Sequence, residues 1–135
     1  MDIGRATKAV QTLAPISRSA GTVNGTAVDA KGFAEALIIL NSGTNEATGT
    51  LDAKVQECDT VGGTYADITG AAFTQVTTAN DNAIYAGRIR LTPTRKRFLR
   101  VVFVTAVAAG VAGAIIVLGE PENEPAATPA FDIHT

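Results

Sequence analysis

Short strand-like segments recur along the whole chain, and no stretch keeps apolar residues at helical spacing over three turns. Gly, Asn, Asp, Thr and Pro separate these segments at short and fairly even intervals. The predicted strands cover residues 9–16, 22–30, 34–41, 50–58, 65–68, 73–77, 83–91, 98–105 and 113–118, with 65–68 as a short extended piece. The pattern predicts an all-β protein.

Two segments indicate how the strands lie. The segment 34–41 is apolar on both faces at its centre, so we expect it inside a sheet. The segment 50–58 alternates: the residues from Leu51 to Glu57 at every second position share one face, and those from Asp52 to Cys58 share the other. One face therefore packs against the core, and the other meets water or a neighbour.

Two local signals qualify the first strands. Pro15 suits an edge or terminal strand, because proline cannot donate to a strand ladder. Asn24 and Gly25 form a pair that accepts the positive φ angles of a tight turn.

The number of strands indicates the architecture. About eight strands over about 110 residues are typical of a two-sheet β-sandwich or jelly roll. We predict an N-terminal segment at 1–8, the sandwich at 9–118 and an extended, proline-containing C-terminal arm at 119–135. The arm is either solvated or lies along a partner, and its candidate contact residues are Pro121, Pro125, Pro129 and Phe131.

Composition excludes several classes of protein. The 135 residues include one Cys and one His, which rules out an internal disulfide and a Cys/His zinc site within one chain. The apolar run 98–118 has the length of a membrane helix, but Arg100 and the glycines within it favour two strands. The first residues lack an apolar core, so we expect no signal peptide.

Catalytic and metal-binding signals are weak. His134 has no partner in register, and Cys58 has no neighbouring cation to activate its thiol. The oxygens of the Asn80-Asp81-Asn82 loop fit no known calcium pattern, so a turn is the better interpretation. We predict no catalytic residue, no cofactor, no metal and no enzymatic activity.

The one prominent charge feature is basic. Six of the eleven Lys and Arg residues fall within two successive strands and the turn between them: Arg88, Arg90, Arg95, Lys96, Arg97 and Arg100. We expect a patch on one end or face of the sandwich that contacts acidic surfaces of other copies or of another protein, the alternative being a solvated turn. A net charge of −2 and few interleaved aromatic residues make nucleic acid a poorer candidate.

Five segments of the chain resemble a known family. They are 28–33, 35–43, 54–57, 63–68 and 96–102. Together they resemble small head proteins that tailed bacteriophages encode near the major capsid gene, among them the jelly-roll decoration, or cement, proteins. The resemblance implies a homotrimer on the outer capsid surface at three-fold positions, bound to the major capsid protein and stabilising the head. It also implies synthesis in the host cytoplasm, a place in the virion and no catalytic residues.

Three alternatives stay open from the sequence. A head-tail connector or tail component would also be structural, but it would form a ring. A receptor- or carbohydrate-binding sandwich needs an exposed aromatic platform, whereas the chain has two Tyr and no Trp. A nucleic-acid-binding module would depend on the basic residues and would bind with a steep salt dependence.

Overall fold

The computed structural model describes residues 3–121, which form one short helix and nine strands. The elements are α1 (Ile3–Ala6), β1 (Thr7–Arg18), β2 (Gly21–Asn24), β3 (Val28–Asp29), β4 (Phe33–Asn45), β5 (Thr50–Cys58), β6 (Ala66–Ala72), β7 (Ala83–Arg90), β8 (Phe98–Ala106) and β9 (Gly110–Pro121). Every strand pairing among them is antiparallel.

The strands form two facing sheets with a jelly-roll order. The first sheet runs β1-β9-β4-β7, and the second runs β2-β8-β5-β6 with β3 also paired to β8. β2 and β3 both pair antiparallel with β8, with the register shifted by one residue between them, and so form two parts of one interrupted edge strand. With these two counted as one, the molecule is an eight-stranded, two-sheet jelly roll, as the strand count predicted.

The core lies between the sheets and is built from the inward residues of each strand. Ala36, Ile38 and Leu40 of β4 are fully buried, as are Val101 and Phe103 of β8. The alternation predicted for β5 is confirmed, because the residues at every second position from Leu51 to Glu57 are all buried. The prediction that 34–41 lies inside a sheet is also confirmed, because β4 pairs with both β7 and β9.

Pro15 lies, as predicted, in an edge strand, because β1 has only β9 beside it. The register between these strands shifts between Leu13 and Ile16, so the residue that cannot donate falls at an irregularity in the ladder. Glycine at 113 allows β1 to lie close to β9 at Pro15, since a side chain at 113 would meet the Pro15 backbone at 2.9 Å.

Three predicted boundaries are wrong. The segment 22–30 is broken after Asn24, and neither Asn24 nor Gly25 takes a positive φ angle. The segments 65–68 and 73–77 become the single strand β6 followed by one isolated bridge from Val76 to Leu51. The last strand begins at Gly110 rather than 113, because the glycines that suggested a connection pair inside the sheet.

The C-terminal end of β9 extends beyond the predicted limit of the sandwich. Gly119 pairs with Glu35, and Pro121 pairs with Phe33, so both belong to the first sheet rather than to an arm. Residues 122–135, including the candidate contact residues Pro125, Pro129 and Phe131, lie outside the described residues. Pro121 is the one predicted contact residue of the arm within the described range, and what is described of it is its backbone pairing with Phe33.

Candidate protein-interaction surfaces

The two strands that carry half of the predicted basic cluster do not lie side by side. β7 forms an edge of the first sheet, whereas β8 lies inside the second sheet, and residues 91–97 cross between them with the other three basic residues. The six basic side chains consequently divide among one strand of each sheet and the connection between them, and they do not form one continuous face. Their surroundings divide them further, into residues that bond within the fold and residues that face outward.

Arg97 bonds within the fold. Its Nε and Nη2 donate to the two carboxylate oxygens of Asp29 at 2.9 and 2.7 Å, which joins the start of β8 to β3. The hydrogen bond from Arg97 lowers the pKa of Asp29 to about 2, helped by the backbone N–H of Lys31 and opposed by partial burial. The guanidinium also lies over the Phe98 ring, with its carbon 5.1 Å from the ring centre.

Arg95 and Lys96 meet one carboxylate. Glu57 is buried at the end of β5, and its Oε1 accepts the backbone N–H of Lys96 at 3.0 Å. The Nε of Arg95 lies 3.7 Å from the same oxygen. This contact balances the charge of a carboxylate that would otherwise be costly to bury.

Arg100 is held on the outer face of the second sheet. Its Nε and Nη2 donate to Gln56 Oε1 at 3.0 and 2.7 Å, and its guanidinium carbon lies 4.0 Å from the centre of the Tyr65 ring. Gln56 in turn donates to Asp67 at 2.8 Å, and this bond, with that of Lys54, lowers the pKa of Asp67. Arg100 thus belongs to a polar network that covers Tyr65.

Arg88 and Arg90 are the two members of the cluster that lie on a strand and point away from the fold, while the side chain of Lys96 is exposed in the connection after them. Both are exposed on β7, and neither forms a salt bridge or side-chain hydrogen bond with any residue in the range 3–121. They pair across the ladder with Leu37 and Glu35 of β4. Two of the side chains in the cluster that are free to contact a partner therefore lie at this edge of the first sheet.

The same edge borders a cleft of about 690 Å³ between β7 and β6, the outermost strands of the two sheets. We call this side of the sandwich the open edge. Core residues form its floor and walls, namely Ile38, Val55, Ile68, Phe73, Tyr85 and Ile89. Arg88, Arg90 and Arg95 also line it, so the cleft combines an apolar interior with a basic rim.

Gly87 keeps the open edge wide. It lies on β7 between Tyr85 and Ile89, the positions that point toward the core. A side chain here would meet only the Phe73 ring, at 3.8 Å, so the space in front of the ring is unfilled. Glycine at this inward position therefore adds to the free space at the wall of the cleft.

The outer face of the first sheet is apolar at its centre. One row across the strands places Ala86, Ile39, Ile115 and Gln11 side by side, and the next row places Arg88, Leu37, Val117 and Ala9 side by side. Ile84 on the same face is 68% exposed. We refer to this surface as the outer apolar face; Glu35, Arg88 and Arg90 lie at one end of it.

The opposite side of the sandwich, where β1 meets β2 and β3, is sealed, and we call it the closed edge. The Thr26 N–H donates to the Thr12 carbonyl at 2.7 Å, and the Thr12 hydroxyl donates back to the Thr26 carbonyl at 2.8 Å. Gly25 N–H donates to the Val101 carbonyl at 2.7 Å. A side chain at Gly25 would collide with Thr12 and Val101, so this glycine serves close packing rather than a turn.

Arg18 closes the end of the same edge, which sequence reasoning missed. Its guanidinium donates to the carbonyls of Ala14 and Ala112 at 2.6 Å each and lies 5.5 Å from the centre of the buried Phe103 ring. Burial lowers the pKa of Arg18. A lone arginine at the end of a predicted strand carries no sequence signal for this role.

The remaining candidate groups are occupied by local structure. Cys58 is buried, and its sulfur lies 3.9 Å from the Thr60 hydroxyl. Asn80 Oδ1 accepts the Thr77 N–H at 2.6 Å, as expected of a turn, and the carboxylate of Asp81 accepts the N–H of Asn45 in β4 at 2.8 Å. No cluster of metal-ligating residues occurs within residues 3–121, and His134 lies outside them.

In the part of the chain that the structure describes, no helix has both the length and the apolar character needed to span a membrane.

The fold is similar to that of capsid proteins of infectious bursal disease virus. The structure of its VP2 subviral particle matches with a TM-score of 0.63 and 12% sequence identity, over 93% of this chain and 34% of that chain. The structure of the Gx strain matches with a TM-score of 0.58 and 12% identity, over 85% of this chain and 32% of that chain. The structure of the Gt strain matches with a TM-score of 0.53 and 14% identity, over 90% of this chain and 34% of that chain.

The matched structures have low sequence identity to this chain and are much longer than it. The chain spans about a third of the length of the viral proteins that it matches. No protein-family model matches the chain, and no curated protein sequence is significantly similar to it. At such low identity the likeness shows the fold alone: the chain has the jelly-roll sandwich found in viral capsid proteins.

Proposed function

We propose that this protein is a structural component of a virion, a decoration protein that binds the outer surface of a bacteriophage head as a homotrimer and stabilises the shell. Its partners in this proposal are copies of itself and the major capsid protein. The proposal includes no catalytic residue, no cofactor and no enzymatic activity.

The outer apolar face is the observation that carries the proposal. Ile84 and Leu37 are exposed there, and Ile39, Ile115 and Val117 are only partly covered. Contiguous apolar surface on a small domain is usually covered by another protein. We assign neighbouring copies of the chain as the occupants, because Glu35 lies beside Arg88 and Arg90 at one end of the face, so different parts of the face on successive copies can pair opposite charges around a three-fold axis.

Two further features support a structural role. The jelly roll is a fold that viral capsid proteins use, as the similarity to the bursal disease virus proteins illustrates. Trimers that attach at many equivalent positions gain avidity, so a modest contact per subunit is sufficient for stable decoration of a shell.

The alternatives find less support. Arg95, Arg97 and Arg100 contact Glu57, Asp29 and Gln56, which leaves a small basic surface for nucleic acid. Arg100 covers the Tyr65 ring, so that ring offers no open platform for a carbohydrate. A head-tail connector or tail component differs from a decoration protein in symmetry, because it would form a ring.

Co-sedimentation with empty phage heads, together with light scattering, tests the proposal. We expect a trimer mass and saturable binding to the heads. Ile84→Glu should lower both trimer content and binding by at least about tenfold, because it places a charge in the outer apolar face. Val61→Glu is the matched control, since Val61 is equally apolar and 64% exposed but lies in the turn after β5.

A monomer at all concentrations that also fails to bind heads would overturn the proposal. Equal effects of Ile84→Glu and Val61→Glu would remove the outer apolar face from it.

A further inference from the structure

The cleft at the open edge has the size and chemistry of a docking groove for an extended segment. Its volume of about 690 Å³ falls within the range of typical ligand sites. The side chains of Phe73, Tyr85 and Ile89 are only partly buried against the core, so an apolar occupant would complete their burial. We propose that the occupant is the C-terminal segment of the same chain, residues 122–135. This proposal does not depend on attachment to a capsid.

Charge complementarity is the first argument. Residues 122–135 contain Glu122, Glu124 and Asp132 and no Lys or Arg. The cleft is lined by Arg88, Arg90 and Arg95, the first two of which form no ion pair with any residue from 3 to 121. Seated there, the carboxylates of the segment would meet a basic rim.

Reach is the second argument. β9 ends at Pro121, which pairs with Phe33, and the adjoining Ala34 carbonyl accepts the Leu91 N–H at the end of β7. From β9 to β7 is a distance of two strand spacings, or about 10 Å. Fourteen extended residues span up to about 46 Å, so the segment can cross β4 and continue along the cleft.

The order of residues is the third argument. Arg90 and Arg95 lie at the end of the cleft near Pro121, and Tyr85 lies further along β7. In the segment the acidic Glu122 and Glu124 come first, and the apolar Phe131 and Ile133 come later. A segment entering from Pro121 thus presents its charges to the basic end and its apolar residues to the apolar part.

The segment of the same chain is favoured over the segment of a neighbouring copy, because its effective concentration at the cleft is higher. A short tether holds the segment at a local concentration in the millimolar range, which a second copy reaches only at high protein concentration. Pro125 and Pro129 cannot donate to the free edges of β6 or β7, so we infer docking mainly through side chains.

A tryptophan reporter in the full chain tests this proposal. The chain has no Trp, so Phe131→Trp supplies a single fluorophore inside the segment. We expect emission at shorter wavelength and an acrylamide quenching constant about threefold below that of a free peptide of residues 122–135 with the same substitution, because docked groups lose most of their exposed surface.

Arg90→Glu in the reporter background should raise the quenching constant toward that of the free peptide. Lys8→Glu is the matched control, since Lys8 is exposed on β1 at the other edge of the first sheet, and it should leave quenching unchanged. Circular dichroism checks that both variants keep the sheet. The rate of chymotrypsin cleavage after Phe131 is a second measurement. We expect this cleavage to be slower in the unaltered chain than in Arg90→Glu.

Quenching equal to that of the free peptide, together with rapid cleavage after Phe131, would overturn the proposal. Protection that appears only as protein concentration rises would assign the groove to the segment of a neighbouring copy and would also overturn it. If residue 131 stays protected from quenching and cleavage in Arg90→Glu, the segment lies elsewhere and the proposal is overturned.

Discussion

At the closed edge, groups from the two sheets bond directly to each other, whereas at the open edge the sheets part and expose core side chains. Thr12 and Gly25 bring β1 against β8 with hydrogen bonds of 2.7 to 2.8 Å. At the open edge, Gly87 leaves space in front of the Phe73 ring, at the wall of a cleft of about 690 Å³. Gly25 permits close contact between the sheets, whereas Gly87 leaves space beside a ring.

This difference shows how one sandwich serves both stability and recognition. The closed edge satisfies buried polar groups between the sheets and so fixes their relative position. The open edge keeps apolar and basic side chains within reach of a partner, because no cross-sheet hydrogen bond closes it in the range that the structure describes. Substitutions at the two edges should therefore have different effects on folding.

The largest contrast is expected between the two glycines. Gly25→Ala should lower the free energy of unfolding by about 3 kcal/mol, because the new methyl group would meet the Val101 carbonyl and the Thr12 backbone, which cannot move without disturbing β1 and β8. Gly87→Ala should raise it by about 0.5 kcal/mol, since alanine favours the strand and contacts Phe73 at an ordinary distance. Urea denaturation measures both; a similar loss in both variants would contradict the contrast.

A smaller contrast is expected between two threonines. Thr12→Val should lower the free energy of unfolding by about 1.5 kcal/mol, because the buried Val101 N–H loses an acceptor and the Thr26 carbonyl loses its donor. Thr69→Val, exposed at the open edge, should change it by less than about 0.5 kcal/mol. Thermal unfolding followed by circular dichroism compares the pair, and a harmless Thr12→Val would show that the closed edge does not depend on this hydroxyl.

The smallest effect concerns the pH dependence of the Asp29–Arg97 pair. The pKa of Asp29 is lowered from 3.8 to about 2 in the folded chain, so its contribution is complete above 3.8 and is lost as pH falls toward 2. Both side chains are over 40% exposed, so screening by solvent keeps the contribution of the pair small.

Urea unfolding at several pH values between 2 and 5 measures the contribution of this pair. Asp29→Asn should remove the acid loss of stability that this carboxylate causes, and Arg97→Gln should remove most of it, because the Lys31 N–H still bonds the carboxylate in that variant. An unchanged acid loss in Arg97→Gln would mean that Arg97 is not the main stabilising partner of Asp29.

Much of the fold could be predicted from local patterns. Alternation in β5, the doubly apolar centre of β4 and the proline in β1 each reflect the surroundings of a single strand. These features depend on neighbours along the chain, so the sequence is sufficient to show them.

The arrangement of the basic residues could not be predicted in the same way. β7 and β8 follow each other in the chain, which suggested one patch, but the chain crosses from the first sheet to the second between them. The partners of Arg97 and Arg100 lie 68 and 44 residues away, so no local pattern reveals them. The cleft and the role of Gly25 likewise depend on which edges face each other.

Imaging of the protein on empty heads by electron cryomicroscopy tests the central claim most directly. The account predicts added density in threes on the outer surface, at three-fold positions, with copies meeting through the outer apolar face. A ring at a single vertex, or heads without added density at saturating protein, would contradict it.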